Sequence, residues 1–333
     1  MLNQFLKLNT KLFNSDVEKK STRQGFGEGL LLAGSENSNI VALTADLKDS
    51  TRVDLFAERF PERFIDVGVA EQNLAGVASG IASMGKIPFM ASYAIFSPGR
   101  NWEQIRTTIC YNNQPVKIIG SHAGITVGPD GGSHQALEDI ALTRVLPNMV
   151  VISPCDKIEA KKATMACSKT KEPTYIRLAR NDTPIITTEE TPFEIGKAQV
   201  YYSPEIGLAQ VGIIATGPIL HRAILAAKEL EKEGIKSKVI NLSTIKPLDE
   251  EAIISLAKET KKILTVEDHQ IKGGVGSAVA EVLAKKYPVL MDFVGVNDKF
   301  GQSGTPEELE NLYELNTESI IEKVKKLINQ KIN

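Results

Sequence analysis

Short apolar runs alternate along the chain with longer stretches in which apolar residues recur at helical spacing. Apolar runs bounded by turn formers are typical of buried strands, and a 3.6-residue period is typical of helices. In the first part of the chain, strands are predicted at 40–44, 64–67, 88–92, 116–120, 150–153 and 175–178. Helices are predicted between them at 23–33, 72–83, 100–111, 137–143 and 157–169. Regular alternation of this kind predicts an α/β fold with parallel sheets.

The alternation stops at 183–196, which is rich in turn formers and has no helical period, so we predict a linker there. It then resumes with strands at 211–215, 237–241, 262–266 and 289–293, and helices at 221–233, 250–260, 275–285 and 318–329. The predicted organisation is an N-terminal arm at 1–21, an α/β sandwich at 22–182, the linker, and a smaller α/β sandwich at 197–333.

Composition narrows the class of protein. With 333 residues, 42% hydrophobic and 24% charged, the chain has the make-up of a soluble protein with two cores. A net charge of −2 gives no reason to expect nucleic acid or an anionic membrane as a partner. The three cysteines show no CxxC spacing, and the first residues lack the apolar run of a secretory signal. A cytoplasmic location is therefore expected.

Glu71 follows the predicted strand at 64–67 and begins the next predicted helix. The junction of strand and helix is where open α/β sheets usually place their chemistry. Taken alone, Glu71 could simply be a carboxylate favoured by the helix dipole. Apolar neighbours such as Val67, Leu74 and Val77 would instead let a carboxyl share a proton with a ligand nitrogen near neutral pH.

The glycine-rich segment 122–135 carries His122, Asp130 and His134. Its glycines allow the backbone to approach a ligand closely. Two imidazoles and a carboxylate can exchange protons with the hydroxyls of a polyol near neutral pH. A zinc site is the competing interpretation, but no third histidine or paired cysteine lies nearby in sequence.

The Glu71 segment and the glycine-rich segment together resemble the pyrimidine-binding part of transketolases, which use thiamine diphosphate. The similarity continues through Gln135-Ala-Leu-Glu-Asp and Leu146-Pro-Asn-Met and covers the chain from about Thr22 onwards. It implies that Glu71 binds N1′ of the cofactor's aminopyrimidine, and that Phe96 and Tyr93 pack on that ring. It also implies that His122 and His134 act at the sugar carbonyl and adjoining hydroxyls, and that Asp130 binds a donor hydroxyl.

The same resemblance assigns the terminal phosphate of the sugar to Arg23, Ser50 and Arg180, which lie at the ends of predicted elements. A guanidinium group matches phosphate oxygens in both geometry and charge. Lys48 and Asp49 precede Ser50 and depart from the family pattern. A third aromatic of that pattern is replaced by Gly99, and Trp102 is a candidate substitute.

The Gly-Asp-Gly motif with which transketolases hold magnesium and diphosphate does not occur in these 333 residues. The resemblance therefore implies the C-terminal subunit of a split transketolase. Mg²⁺ and the diphosphate of thiamine diphosphate would be held by a separate N-terminal subunit in an α2β2 assembly. The implied reaction transfers a two-carbon ketol unit from a ketose phosphate to an aldose phosphate.

Three alternatives remain at this point. Deoxyxylulose-phosphate synthases and the β-subunits of 2-oxoacid dehydrogenase-type decarboxylases share the pyrimidine-domain architecture. The former normally have an acidic residue where His122 stands, and the latter lack the long motif that includes Asp130 and His134. A silent regulatory subunit is the third alternative, against which Glu71 argues.

Gly273, Gly274 and Gly276 are interpreted as close packing between strand and helix, and His269 as a structural residue.

Overall fold

The computed structural model describes residues 1–330, which form two adjoining α/β domains. The strands are β1 (Lys19–Lys20), β2 (Ile40–Thr44), β3 (Phe64–Asp66), β4 (Ile87–Tyr93), β5 (Lys117–Ser121), β6 (Val150–Ile152), β7 (Thr174–Arg177), β8 (Thr183–Pro184), β9 (Gln199–Tyr202), β10 (Val211–Ala215), β11 (Ser237–Asn241), β12 (Thr244–Lys246), β13 (Lys262–Gln270) and β14 (Leu290–Val296). The helices are α1 (Thr22–Glu36), α2 (Lys48–Thr51), α3 (Asp54–Arg59), α4 (Glu71–Ser83), α5 (Trp102–Gln104), α6 (Asp139–Arg144), α7 (Lys157–Cys167), α8 (Leu220–Lys232), α9 (Glu250–Thr260), α10 (Val275–Lys286), α11 (Pro306–Leu312) and α12 (Thr317–Asn329). A π-helical turn, Ile105–Cys110, continues α5, and 3₁₀ segments occupy Gln4–Leu6, Pro61–Arg63 and Ile125–Asp130.

The first domain is built on a seven-stranded sheet in the order β12-β6-β7-β5-β4-β2-β3. Its strands are parallel except β12, which pairs antiparallel with β6. One face packs against α1, α3 and α7 through residues such as Phe26, Phe56 and Ala160. The other face packs against α4 and the turn after α5. Helices on both faces explain why the central strands are apolar along their whole length.

The second domain is built on a five-stranded sheet in the order β14-β13-β10-β11-β9, in which only β9 is antiparallel. One face is covered by α8 and α12 and the other by α9 and α10. Ile214 and Val275 of this domain lie in the same apolar cluster as Leu74 and Ile140 of the first. The two domains therefore share part of their core, and β12 crosses from the second into the sheet of the first.

The N-terminal segment packs on the second domain. Leu6, Leu8 and Leu12 are buried in the cluster that contains α8 and α12. The backbone of Asn3 donates to the carbonyl of Tyr201 at 3.0 Å, and β1 pairs with β8. The arm and β12 thus connect the two domains. The predicted boundaries of the arm, the domains and the linker stay predictions.

The predicted α/β class is confirmed. The antiparallel strands β9 and β12 and the short helices α2, α3 and α11 were absent from the predicted elements. Gly274 and Gly276 confirm the interpretation of close packing, since a Cβ at Gly276 would lie 2.7 Å from Oγ1 of Thr265 in β13. Among the residues described, no helix is both long and apolar enough to cross a bilayer.

Candidate active site

The candidate residues gather at one edge of the first sheet because parallel strands present their carboxyl ends on the same side. Ser50 lies in the helix after β2, Tyr93 ends β4, and His122 directly follows β5. Arg180 comes just after β7, and Glu71 is the first residue of the helix that follows β3. Strand order thus converts sequence positions that are far apart into neighbours.

Glu71 is buried, with 2% of its surface exposed, and its carboxylate is ion-paired. Nη1 of Arg100 lies 2.7 Å from Oε2 of Glu71, and Arg100 is itself half-exposed. The side chain of Asn101 donates to the backbone carbonyl of Glu71 at 2.9 Å, which fixes the start of α4. Among residues 1–330, Oε1 of Glu71 has no hydrogen-bond partner.

The apolar surroundings predicted for Glu71 are only partly present. Leu74 is fully buried, but Val69 is 71% exposed, and the charged Arg100 contacts the Glu71 carboxylate. Arg100 was not among the predicted site residues, although it follows Phe96 by only four residues.

A group of aromatic and imidazole rings in mutual contact lies next to Arg100. The Arg100 guanidinium lies 4.9 Å from the ring centroid of Phe96, which is half-buried. Phe96 contacts Tyr93 at 6.2 Å with nearly parallel rings and His134 edge-on at 5.5 Å. Tyr93 stacks on His122 at 3.9 Å. We call Phe96, Tyr93, His122 and His134 the ring cluster; the structure brings these four predicted residues together.

His122 is the buried member of the ring cluster. Its backbone has a positive φ of 59°, and its Nδ1 lies 2.9 Å from the hydroxyl of Ser121. Burial, reinforced by the positive charges of Arg23 and Arg180, lowers the pKa of His122 to about 3. The imidazole is therefore neutral at physiological pH, with one ring nitrogen able to donate and the other able to accept.

We expect the His122 ring to remain neutral when the chain is titrated down to about pH 4. The check is histidine-labelled NMR of the ring nitrogens, with His122→Asn to assign the signal. Because the pKa is lower in the folded than in the unfolded chain, the unfolded chain binds more protons below pH ~6.5. The free energy of unfolding therefore decreases as the pH falls below about 6.5. His122→Asn should reduce the slope of the free energy of unfolding against pH by up to about 1.4 kcal/mol per pH unit. A ring that titrates near its ordinary pKa would contradict this electrostatic description.

Arg23, Ser50 and Arg180 also meet. Nη1 of Arg23 donates to the backbone carbonyl of Ser50 at 2.7 Å, and its Nε donates to that of Arg180 at 3.1 Å. Nη1 of Arg180 donates to the carbonyl of Val127 at 2.6 Å. Burial lowers the pKa of Arg23, and the neighbouring positive charges of Arg52 and Arg180 add to this effect. Positive charge gathered in this way is suited to an anion.

Arg52 was missed by the sequence analysis. It ends α2 in a left-handed conformation with φ of 66°, and its buried Nε has no hydrogen-bond partner among the residues described. No local pattern in the sequence marks it. We call Arg23, Arg52 and Arg180, with Ser50, the anion pocket.

Asp130 and His134 lie on the glycine-rich segment, which contains the 3₁₀ segment Ile125–Asp130. Nδ1 of His134 lies 3.0 Å from the hydroxyl of Ser133. Asp130 is exposed, and within residues 1–330 its carboxylate joins no ion pair or hydrogen bond. The structure thus places Asp130 on the same segment as His134 without linking it to the ring cluster.

Gly99 cannot carry a third aromatic ring in this conformation, because any Cβ there would overlap the carbonyl oxygen of Ile95. Trp102 does not replace it in the ring cluster. The indole nitrogen of Trp102 donates to the carbonyl of Leu142 at 2.7 Å, and its ring packs on the shared apolar core.

The residues present fit an aminopyrimidine ring. Arg100 contacts both the Glu71 carboxylate, which has one unpaired oxygen, and the half-buried ring of Phe96. A flat heterocycle could therefore bind Glu71 through a ring nitrogen and stack on an aromatic side chain. Within residues 1–330, no group of three or more His, Cys, Asp and Glu side chains is placed to hold a metal ion.

Comparison with known sequences identifies two family models. "Transketolase, pyrimidine binding domain" matches residues 18–185, and "Transketolase, C-terminal domain" matches residues 208–320. A putative transketolase C-terminal section from Methanocaldococcus jannaschii is 45% identical over 92% of this chain and 95% of that protein. The 6-deoxy-6-sulfo-D-fructose transketolase subunit SqwH from Clostridium sp. (strain MSTE9) is 38% identical over 93% of this chain and 95% of that protein.

Longer relatives match only in part. Human transketolase is 36% identical over 93% of this chain, but the match covers 49% of the human protein. Among solved structures, a split-gene transketolase described as an inactive β4 tetramer superimposes with a TM-score of 0.86 and 42% identity. That match covers 94% of this chain and 99% of the solved chain. A Campylobacter jejuni transketolase, with a TM-score of 0.79 and 22% identity, supports the fold alone.

Proposed function

This chain belongs to the transketolase family as a counterpart of its C-terminal sections, and we propose that it works as one half of a two-chain enzyme. The proposed reaction transfers a two-carbon ketol unit from a ketose phosphate to an aldose phosphate. The observation that carries the proposal is the continuity of the site. Buried Glu71 is paired with Arg100, Arg100 lies against Phe96 of the ring cluster, and His122 of that cluster lies within the electrostatic influence of Arg23 and Arg180.

When bound, thiamine diphosphate supplies the nucleophilic carbon and the electron sink for breaking a carbon–carbon bond. We assign Oε1 of Glu71 to the nitrogen of its aminopyrimidine ring, since Oε2 is already paired with Arg100. The carboxylate would hold a proton at that nitrogen, and Arg100 would keep the carboxylate oriented. Phe96 and Tyr93 would provide the face on which the ring lies.

His122 and His134 would bind the oxygens of the sugar. Neutral His122 can donate a hydrogen bond to the carbonyl oxygen and take part in proton transfer without first losing a proton. His134 contacts Phe96 edge-on and would therefore lie near the cofactor ring. Exposed Asp130 has a free carboxylate for a donor hydroxyl.

The anion pocket would hold the far end of the sugar. Arg23 and Arg180 converge there with Ser50, and Arg52 adds a fourth group with an unused N–H. Guanidinium groups bind tetrahedral anions through paired hydrogen bonds. Phosphate is the proposed anion, and the name of the Clostridium relative makes a sulfonate at the same end of the sugar the variant to compare.

The diphosphate and Mg²⁺ would be held by a separate N-terminal subunit, and the proposed assembly is α2β2. The chain spans about half the length of full-length transketolases. The solved split-gene relative is described as an inactive β4 tetramer. We propose that this chain likewise has no activity without its partner.

The substrate class is tested by mixing the chain with a candidate N-terminal subunit, thiamine diphosphate and Mg²⁺. Ketose phosphates, a 6-sulfo ketose and pyruvate are then offered in parallel, with aldose acceptors. Two-carbon transfer between sugars supports the proposal, and the preferred donor identifies the anion. Decarboxylation of pyruvate without ketol transfer would instead indicate the decarboxylase alternative.

A further inference from the structure

The glycine-rich segment of the candidate site lies directly against a loop of the second domain, Gly301–Gly304. A Cβ at Gly128 would lie 3.2 Å from the carbonyl oxygen of Gly304, and one at Gly132 would lie 2.5 Å from that of Gly301. Between them, a Cβ at Gly131 would lie 2.6 Å from the hydroxyl oxygen of Ser303. The two stretches therefore run side by side in opposite directions, and we call residues 301–304 the clamp loop.

The backbone N–H and the backbone carbonyl of Ile125, at the start of the 3₁₀ segment, both form hydrogen bonds to side chains. Its N–H donates to Oδ1 of Asp268 in the second domain at 3.0 Å. Its carbonyl accepts from the side-chain amide of Gln135 at 3.0 Å, and the same amide donates to the carbonyl of Gln302 at 3.0 Å. Gln135 is buried, so it ties the segment to the clamp loop away from solvent.

Both anchors of the second domain are themselves fixed. The carbonyl of Asp268 accepts from Arg177 at 2.6 Å, and Arg177 forms a buried ion pair with Asp139 at 3.0 Å. The clamp loop is held by the hydroxyl of Tyr313, which donates to the carbonyl of Phe300 at 2.8 Å. The contacts thus reach from the core of each domain to the segment.

The segment needs such support. His122, Gly124, Gly128 and Gly131 all have positive φ, and glycines at these positions gain much conformational freedom when they are released. The only helical structure in the segment is a short 3₁₀ stretch that is broken at Gly128, so few of its backbone groups can form hydrogen bonds within the segment. Contacts from outside the segment must therefore fix its conformation.

We propose that Asp268 and the clamp loop make the second domain a positioning element for sugar binding, because they hold the segment that carries Asp130 and His134. The role in sugar binding rests on the proposed function, whereas the ordering of the segment does not. Asp268, Gln135 and the clamp loop are positioning residues that act through Ile125 and the glycines.

The ordering is tested on the chain alone by hydrogen exchange. Asp268→Ala removes the acceptor for the Ile125 amide and should speed exchange across residues 124–134 by about tenfold or more, with β2 and β4 unchanged. Asp268→Asn keeps an acceptor oxygen and should retain protection. Asp298→Asn is the matched control, since Asp298 is an exposed carboxylate of the same domain paired with Lys272 at 3.2 Å.

A second variant covers the case in which Asp268→Ala fails to fold. Gly132→Ala needs no unusual backbone angle but places a methyl group against the Gly301 carbonyl. It should loosen the same residues. Unchanged exchange of 124–134 in a folded Asp268→Ala or Gly132→Ala chain would overturn the proposal, whatever the enzyme's activity.

The consequence for substrate is measured with both subunits present. Asp268→Ala and Gly132→Ala should raise KM for the sugar by about tenfold or more with an unchanged affinity for thiamine diphosphate, and Asp268→Asn should restore KM. An equal loss of cofactor affinity would show a general structural effect and overturn the positioning role. If the wild-type pair transfers no ketol unit, the proposed function fails, whereas the exchange result on the lone chain stands or falls separately.

Discussion

Glu71→Ala should lower kcat of the proposed two-chain enzyme by about 1,000-fold or more, because it removes the carboxylate assigned to hold a proton at the ring nitrogen. The side chain is buried at the start of α4 and already oriented by Arg100. Its removal also leaves the Arg100 guanidinium next to the cofactor position without its counter-charge. The measurement is steady-state ketol transfer at saturating thiamine diphosphate, alongside a thermal melt of the variant.

Glu103→Gln serves as the control for this experiment. Glu103 is an exposed carboxylate on α5, and its replacement should leave kcat unchanged. Glu71→Gln keeps the shape of the side chain but cannot hold the proton in the same way, so it should be nearly as inactive as Glu71→Ala. Substantial turnover in a folded Glu71→Gln enzyme would show that this carboxyl does not perform the assigned chemistry.

Arg23→Gln should lower kcat/KM for a ketose phosphate by about 100-fold, since a charged hydrogen bond to an anion contributes roughly 1.5–3 kcal/mol. Arg23 is the residue that connects Ser50 with Arg180, so its loss removes a ligand and loosens the pocket. The same variant should change kcat/KM for an unphosphorylated ketose by less than about threefold. The measurement compares both donors at one fixed acceptor concentration.

The control for Arg23 is Arg59→Gln, which removes an exposed arginine at the end of α3. It should leave the preference for phosphorylated donors intact. If Arg23→Gln weakens both donors equally, the arginine supports the fold of the site and does not select the anion.

Much of the fold could be predicted because the central strands and helices are locally consistent. The predicted and observed limits of β2, β10 and β11 coincide, and β2 and β10 are mostly apolar. Glu71 was identified because it stands where a strand gives way to a helix, which a sequence pattern can indicate, and β3 does end there beside β2. The ring cluster followed from the resemblance and not from spacing.

The parts that could not be predicted depend on contacts between distant residues. β12 joins β6 across about 90 residues of chain, and only the packing of the two domains brings them together. The Asp268 contact with Ile125 has the same origin, since nothing local marks either residue. The ion pair between Arg100 and Glu71 was not predicted either, because neighbours in sequence were taken as the neighbours of Glu71 in space.

The central claim is that this chain supplies only the acid, aromatic and sugar-binding half of the site. It is tested most directly by assaying two-carbon transfer for each subunit alone and for mixtures of varied ratio, with thiamine diphosphate and Mg²⁺ present throughout. We predict no turnover by either chain alone and a maximum at equimolar mixing, which is lost when the chain carries Glu71→Ala. Turnover by this chain alone, or an equally active Glu71→Ala mixture, would contradict the account.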